Sequence, residues 1–424
     1  MTRAGRILRL AMLVLPAGLM TLWVSSCHRW FIVQVTEPDE ALVMVDEWGI
    51  PPLDDDMDKD SLRHAVLQSV AYLDRLPPER SFVYGPLRVD AQEVRQTLLS
   101  FLTLVEGRWD PEALAGRLHR EFTWFRAAGT DLFGTVLFSG YYLPVMEGRL
   151  RPEGDFRYPI YRLPSDMLEV ELSHFRGQPH GERLVARLAG RKVLPYYTRA
   201  DIDVGGALDG RGLELVWLRD PVDRFFLHIQ GSGRILLGQG QIMHVNYAGG
   251  NGHPYVSIGR ILIEEGPISR EQMSMQAIRA YLREHPERIE GLFSSNPSYV
   301  FFRQVDDGPL GSLEVPITPG RSIATDSRLF PKAGLAFIRS QRPVLDEEGR
   351  IVSWQPFSRF VLNQDTGGGI QGAGRVDLYC GSGKEAELMA GHLRHRGSLF
   401  FLLRRGRSGQ FRPSPGRGAG GGRP

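Results

Sequence analysis

Leu362-Asn363-Gln364-Asp365-Thr366-Gly367-Gly368-Gly369-Ile370, followed by Gly374-Arg375-Val376-Asp377-Leu378-Tyr379-Cys380-Gly381-Ser382-Gly383, is the stretch on which the reading of this chain turns. Two carboxylates flank a glycine turn. Three successive glycines permit backbone conformations closed to other residues and let a ligand come close. The alternation from Arg375 to Tyr379 is that of a strand, which puts Asp377 on one face with Arg375 and Tyr379 and turns Val376 and Leu378 the other way. A carboxylate, a cation and a ring on one face suit a sugar-binding groove. Taken alone, Asp365 in an Asp-Thr-Gly sequence reads as a turn cap, and Asp326, in Arg321-Ser322-Ile323-Ala324-Thr325-Asp326, is an ordinary acid in a small-residue setting.

Working outward, the chain from Leu132 is made of short apolar runs punctuated by Gly and Pro, the texture of strands. Thr135–Phe138, Tyr141-Tyr142, Leu213–Trp217, Phe225–Gln230 and Ile235–Leu237 are each predicted to be one, and Ser298–Leu403 returns to strands and turns. One helix is expected between them, capped by Ser269 and running through His285, with Pro286 just beyond. Before Leu132 the pattern is helical. Leu62, Val66, Val70 and Leu73 recur at helical spacing, and two more helices are predicted over Asp90–Glu106 and Asp110–Phe125, each opened by an Asp. The expected fold class is therefore α+β and β-rich, with barrels rather than a bundle; the absence of any solenoid-length repeat argues against arrays and propellers.

With 424 residues, of which 42% are hydrophobic and 24% charged, the chain is long enough for two cored domains. A formal net charge of +2 is too small to imply a dedicated nucleic-acid surface, and none is expected; beyond that, charge says little about partners. Arg3, Arg6 and Arg9 precede an apolar run from Leu10 to Val24, a secretory signal pattern over 1–26. It ends in Val24-Ser25-Ser26-Cys27, which resembles a bacterial lipobox, so Cys27 is the expected lipidation site and the body is expected in the cell envelope, facing the periplasm from the outer membrane. An uncleaved anchor or an ordinary signal peptide are the alternatives. Only Cys380 remains in the body; a lipidated Cys27 leaves it as a packed free thiol rather than half of a disulfide. The Arg- and Gly-rich stretch 404–424 reads as a disordered tail.

Other motifs carry less. Asp54, Asp56 and Asp58 imitate the start of a calcium loop but lack its Gly and closing Glu, so the acidic run reads as a solvated helix N-terminus. Gly231-Ser232-Gly233 and Gly249-Gly250-Asn251-Gly252 lack the Gly-Lys-Ser or Gly-Lys-Thr of a phosphate loop. His392 and His395 have no convincing third ligand and read as a solvated helix face. No metal or cofactor is expected.

The motifs in order resemble the membrane-bound lytic murein transglycosylase A family. The resemblance runs from Ser139-Gly140-Tyr141-Tyr142 through Pro195–Ala200, Ile229–Gly233, Asn246–Gly249, Ser257-Ile258-Gly259, Met273–Gln276 and Asn296–Phe302 to the aspartate-glycine segment. One departure is Gly369-Ile370-Gln371-Gly372, where the family usually has Ala-Ile-Lys-Gly; it removes a charge near the groove. The resemblance implies a double-psi β-barrel catalytic domain with N-terminal helices (28–144 and 305–403), into which a smaller β-barrel (145–304) is inserted, with a groove between them. It also implies that Asp377 is the catalytic acid, accompanied by Asp365 and Asp326. Tyr141, Gln230, Ser232, Tyr247, Asn251 and Tyr255 are the candidate substrate-binding residues, although a core role serves the tyrosines equally well.

The activity implied is cleavage of the bond between N-acetylmuramic acid and N-acetylglucosamine in peptidoglycan glycan strands, ending in a 1,6-anhydro ring. To protonate the glycosidic oxygen near neutral pH, Asp377 needs a raised pKa; a nearby ionised Asp365 would favour this and Arg375 would oppose it. Two rivals stand beside this reading: a hydrolase using water and an inverting pair of aspartates, and a non-catalytic peptidoglycan-binding lipoprotein. The mode of attack along the strand, stem-peptide preference and partners such as cell-wall enzyme complexes are not encoded legibly.

Overall fold

The computed structural model describes residues 35–107, 110–174 and 183–406. The expected leader, Cys27 and the tail beyond Gly406 lie outside the described residues.

Asp58 accepts the Ser61 N–H and opens the helix Lys59–Leu73, whose Leu62, Val66, Val70 and Leu73 are buried as the spacing predicts. Asp90 opens Ala91–Glu106 with a capping box in which its carboxylate takes the Glu93 N–H and the Glu93 side chain takes the Asp90 N–H. The third helix, Pro111–Glu121, stops four residues short of the predicted Phe125. Phe122–Ala127 is a strand instead, because Phe122, Trp124 and Phe125 bury more area paired against Arg394–Arg404 than a helix end could offer. The acidic run is only partly solvated: Asp55 pairs with Arg321 and Asp56 with Arg359, two buried arginines of the barrel.

Six strands close on themselves in the order Arg394–Arg404, Leu335–Leu345, Ile351–Asp365, Ser322–Ala324, Arg375–Ser382 and Val136–Leu143, the last pairing back to the first. Two neighbouring pairs in this ring are parallel, Ser322–Ala324 with Ile351–Asp365 and Arg375–Ser382 with Val136–Leu143. Parallel neighbours cannot be joined by a hairpin, so long crossovers connect them. Phe122–Ala127 and Leu42–Val45 extend the sheet outward. The main core lies inside this barrel and under the two long helices.

The largest crossover holds a second sheet of six strands, ordered Val300–Val305, Gln241–Gly250, Ser232–Gly238, Val145–Arg149, Glu214–Leu218, Tyr158–Tyr161. A bridge between Arg162 and Phe302 draws its two edges together into a smaller barrel, and a three-stranded sheet, Met167–Glu171, Arg183–Ala189 and Lys192–Pro195, stands beside it. Two expectations fail here. Phe225–Gln230 is not a strand but the end of a helix, Pro221–Gln230, capped by Asp220 at its start and by Gly231 at φ 76°. The next predicted helix begins later, at Met275, capped by Ser274; Ser269 instead closes a turn with Gln272. The C-terminal part also includes a helix, Lys384–His392, so His392 ends that helix while His395 lies on the following strand. Cys380 is a free thiol that burial pushes up to about 12.

Candidate active site

The three aspartates converge because a three-residue strand separates two of them. Ala324 is in register with Asp365 on one neighbour and with Asp377 on the other, and adjacent strands lie about 4.8 Å apart. Asp326 follows two residues on. The same logic supplies the partners on the far side: Val136–Leu143 runs parallel to the Asp377 strand with Ser139 opposite Asp377 and Tyr141 opposite Tyr379.

Each carboxylate is held differently. Asp365 accepts the Tyr141 hydroxyl on Oδ2 at 2.9 Å, and on Oδ1 the Ser312 N–H at 2.9 Å and the Thr366 N–H at 2.8 Å. Burial outweighs these three bonds and, with the negative charge of Asp377 adding to the rise, pushes its carboxyl up to about 6. Asp326 is engaged by Arg328, whose side chain reaches both oxygens at 3.0 and 2.7 Å, and by the N–H groups of Gly372 and Arg328. Burial works against the charged form there, but Arg328 and the two N–H groups prevail and hold the carboxyl below its ordinary value. Asp326 thus pins the far end of the glycine turn.

Asp377 accepts the Ser139 hydroxyl on Oδ1 at 2.5 Å, with Arg375 Nε at 3.4 Å from the same oxygen. Among the described residues nothing donates to its Oδ2, and that atom is not one of the buried polar atoms left without a partner. It is the reachable carboxyl of the three. Arg375 and Asp377 share a strand face as the alternation predicts, and Arg375 is fixed by a second bond, to Gly369 O at 3.0 Å.

The glycine turn behaves differently from its reading. None of Gly367, Gly368 and Gly369 has left-handed backbone; that conformation falls on Gly372, at φ 80°. Gly369 faces Tyr255 of the inserted barrel closely enough that a Cβ would sit 3.7 Å from the ring. Tyr255 therefore overhangs the turn, and Tyr247 is half exposed. The remaining candidates serve the framework: Gln230 Oε1 accepts the Tyr142 N–H at 3.0 Å, tying the inserted helix to the barrel strand beside Tyr141. Ser232 is buried opposite Asn246. Asn251 is buried, donates to Tyr197 O and Pro297 O, and accepts from Tyr299 N–H, so its amide is taken up by the fold.

Sequence reasoning did not single out Ser139, Ser312 or Arg328 as partners of the aspartates. Arg328 had a local signal, two residues beyond Asp326; Ser312 had none, since it acts through its backbone. A cavity of about 510 Å³ lined by Glu79, Arg88, Glu93 and Arg404 lies elsewhere, at the N-terminal hairpin. No cluster of metal-ligating side chains occurs among the described residues.

Residues 137–303 match the family model described as the MltA specific insert domain, and residues 321–403 match the 3D domain. The membrane-bound lytic murein transglycosylase A of Vibrio cholerae is 36% identical over 279 residues, covering 65% of this chain and 67% of that protein. The protein of the same name from Escherichia coli is 36% identical over 277 residues, with the same coverage. A crystal structure of a membrane-bound lytic murein transglycosylase from Agrobacterium tumefaciens superposes with TM-score 0.69 at 30% identity, over 86% of this chain and 98% of that one. The Escherichia coli MltA structure with bound chitohexaose superposes with TM-score 0.65 at 27% identity, over 88% and 96%.

Proposed function

The chain belongs to the membrane-bound lytic murein transglycosylase A family, and from that premise we propose that Asp377 is its single acid and base, acting on glycan strands laid in the groove between the two barrels. The protein is a lytic transglycosylase of peptidoglycan, and its double-psi barrel with an inserted domain is the family fold. The observation that carries the assignment is the open Oδ2 of Asp377. Asp365 and Asp326 have both oxygens engaged within the protein, whereas Asp377 offers one to the groove.

The proposed reaction needs one proton twice. Protonated Asp377 gives its hydrogen to the glycosidic oxygen as the bond to the muramyl C1 breaks, and N-acetylglucosamine leaves. The carboxylate then takes the proton from the muramyl C6 hydroxyl while O6 bonds to C1, giving the 1,6-anhydro ring and restoring the acid. Intramolecular attack of this kind reaches effective molarities on the order of 10⁵ M or more, which lets the hydroxyl outcompete water. Ser139 steers the carboxyl by its bond to Oδ1. The charge of Asp365 is present above about pH 6, and that ionised carboxylate is taken as the form that supports Asp377 during turnover. Tyr255 and Tyr247 offer ring faces to sugars from the opposite wall.

We further propose that residues 28–144 and 305–403 form the catalytic body and 145–304 the insert, and that lipid on Cys27 anchors the protein to the outer membrane. Among the described residues no helix is long and apolar enough to cross a membrane.

The test is mass spectrometry of muropeptides released from purified murein by the detergent-solubilised chain, beside Asp377→Asn. Anhydromuramyl ends from the parent and none from the variant are expected. Reducing ends would replace this reading with a hydrolase, and release undiminished in the variant would remove Asp377 from its role.

A further inference from the structure

After the strand Val300–Val305 the chain returns to the catalytic barrel through residues 306–316, and this short return contacts both domains and one of the aspartates. It is a tight loop. Gly311 N–H donates to Val315 O at 3.0 Å, Leu310 and Pro316 form a bridge, and Glu314 adopts φ 55°. Gly311 runs so close to the aspartate strand that a Cβ would lie 2.5 Å from Gln364 O. The next residue, Ser312, points its N–H at Asp365 Oδ1 at 2.9 Å. A backbone donor has no rotamers, so its aim is set entirely by what holds the loop.

Two side chains hold it from opposite sides. Asn246, 4% exposed in the inserted barrel, accepts the Leu310 N–H on Oδ1 at 3.2 Å. Arg75, just beyond the helix Lys59–Leu73, donates to Leu313 O at 2.6 Å and to Glu314 O at 3.2 Å. Arg303 also pairs with Glu314, but both ends of that contact are exposed and it contributes little. The Ser312 N–H therefore sits between one anchor on each domain, two residues from the first and one from the second.

We propose that Asn246 and Arg75 are positioning residues for Asp365, acting through this return loop, so that the seating of the insert against the barrel sets how firmly that carboxylate is held. This rests on the reading that Asp365 supports Asp377. The titratable groups facing Asp365 are Tyr141 on one strand and Asp377 on another; the loop and Thr366 contribute only N–H groups. Loosening the loop weakens a bond that favours the charged form, so the proton is held to higher pH.

The experiment measures kcat and KM on murein from pH 4.5 to 8.5 for the full chain and for Asn246→Ala, Arg75→Ala, Arg75→Lys and Asp365→Asn. The acid limb of kcat is expected to move upward in both alanine variants, with roughly three- to tenfold lower kcat at pH 5.5 and KM within about twofold. Arg75→Lys, which keeps one donor for Leu313 O, is expected to recover part of the shift. Should Asn246→Ala fail to fold, Arg75, which is exposed at the loop, still decides the matter. Alanine variants with an unmoved profile, beside an impaired Asp365→Asn, overturn the positioning role and leave the reading of Asp365 intact. An Asp365→Asn enzyme with parental turnover and profile overturns that reading itself.

Discussion

Tyr141 and Asp365 meet in the larger barrel, the phenol donating to Oδ2 at 2.9 Å from a strand that two residues earlier sends Ser139 to Asp377. One strand thus serves both carboxylates. Burial keeps the Tyr141 proton in place far beyond neutral pH, so the phenol is a donor throughout the working range and favours the charged form of Asp365.

Removing that donor gives a signed prediction. Tyr141→Phe leaves the ring but deletes a bond to the carboxylate, so the Asp365 carboxyl rises from about 6 and ionised Asp365 is scarcer in mildly acidic buffer. The pH–rate profile of the variant is expected to lose activity on its acid side while converging toward the parent above pH 8. A parallel drop at all pH values would show the ring position, not the hydrogen bond, to be what matters.

The same group makes stability fall with pH. Its folded value of about 6 lies above the ordinary carboxylate value of 3.8, so the folded state binds the extra proton between them. That contribution is fully present below about pH 4 and is lost as pH climbs through about 6, on the order of 3 kcal/mol. Asp365→Asn removes the titration. Urea unfolding at pH 4.5 and 7 is expected to show a smaller decrease in the variant than in the parent; an equal decrease assigns the effect to other groups.

Arg321 is wholly buried and is satisfied by Asp55 Oδ2 at 2.7 Å, Asp58 O, Phe360 O and Ser61 Oγ. It immediately precedes the strand that separates the two central aspartates. Deleting Asp55 strands a buried guanidinium, at a cost of about 3 kcal/mol or more, whereas Asp54 and Asp60 are exposed and should change stability by less than about 0.5 kcal/mol when replaced by Ala. Urea midpoints for the three variants check this; equal effects would mean the charge of the run, not the pairing, supports the fold.

That acidic run shows where the sequence is opaque. Asp55 meets a partner 266 residues away, and nothing local distinguishes it from its solvated neighbours. Local signals do place Lys59–Leu73 and the Asp377 strand, because spacing of apolar residues alone decides those. Pro221–Gln230 reads as a strand in its second half although its helical boundaries are written in Asp220-Pro221 and Gly231; the run Phe225 to His228 is buried on consecutive residues, which obscures helical period. The aspartate pair is legible through motif, but their juxtaposition depends on the parallel register around Ala324, a non-local pairing with no sequence marker.

The glycine turn separates conformational need from spatial need, and supplies the last prediction. Gly372 has φ 80°, and a Cβ added there would meet nothing within 4 Å, so Gly372→Ala makes no clash yet forces an L residue into left-handed backbone, costing about 1–2 kcal/mol. Gly369 has no such φ and a Cβ there would only touch Tyr255 at 3.7 Å, an ordinary contact. Gly369→Ala, which restores the residue usual in the family, is therefore expected to keep the parental melting temperature, while Gly372→Ala lowers it by several degrees and slackens the bond from Gly372 N–H to Asp326. A Gly369→Ala protein that melts early would show that the turn needs the backbone freedom of glycine at 369 after all, and an unaltered Gly372→Ala protein would show that the turn can relax out of the left-handed conformation without loss.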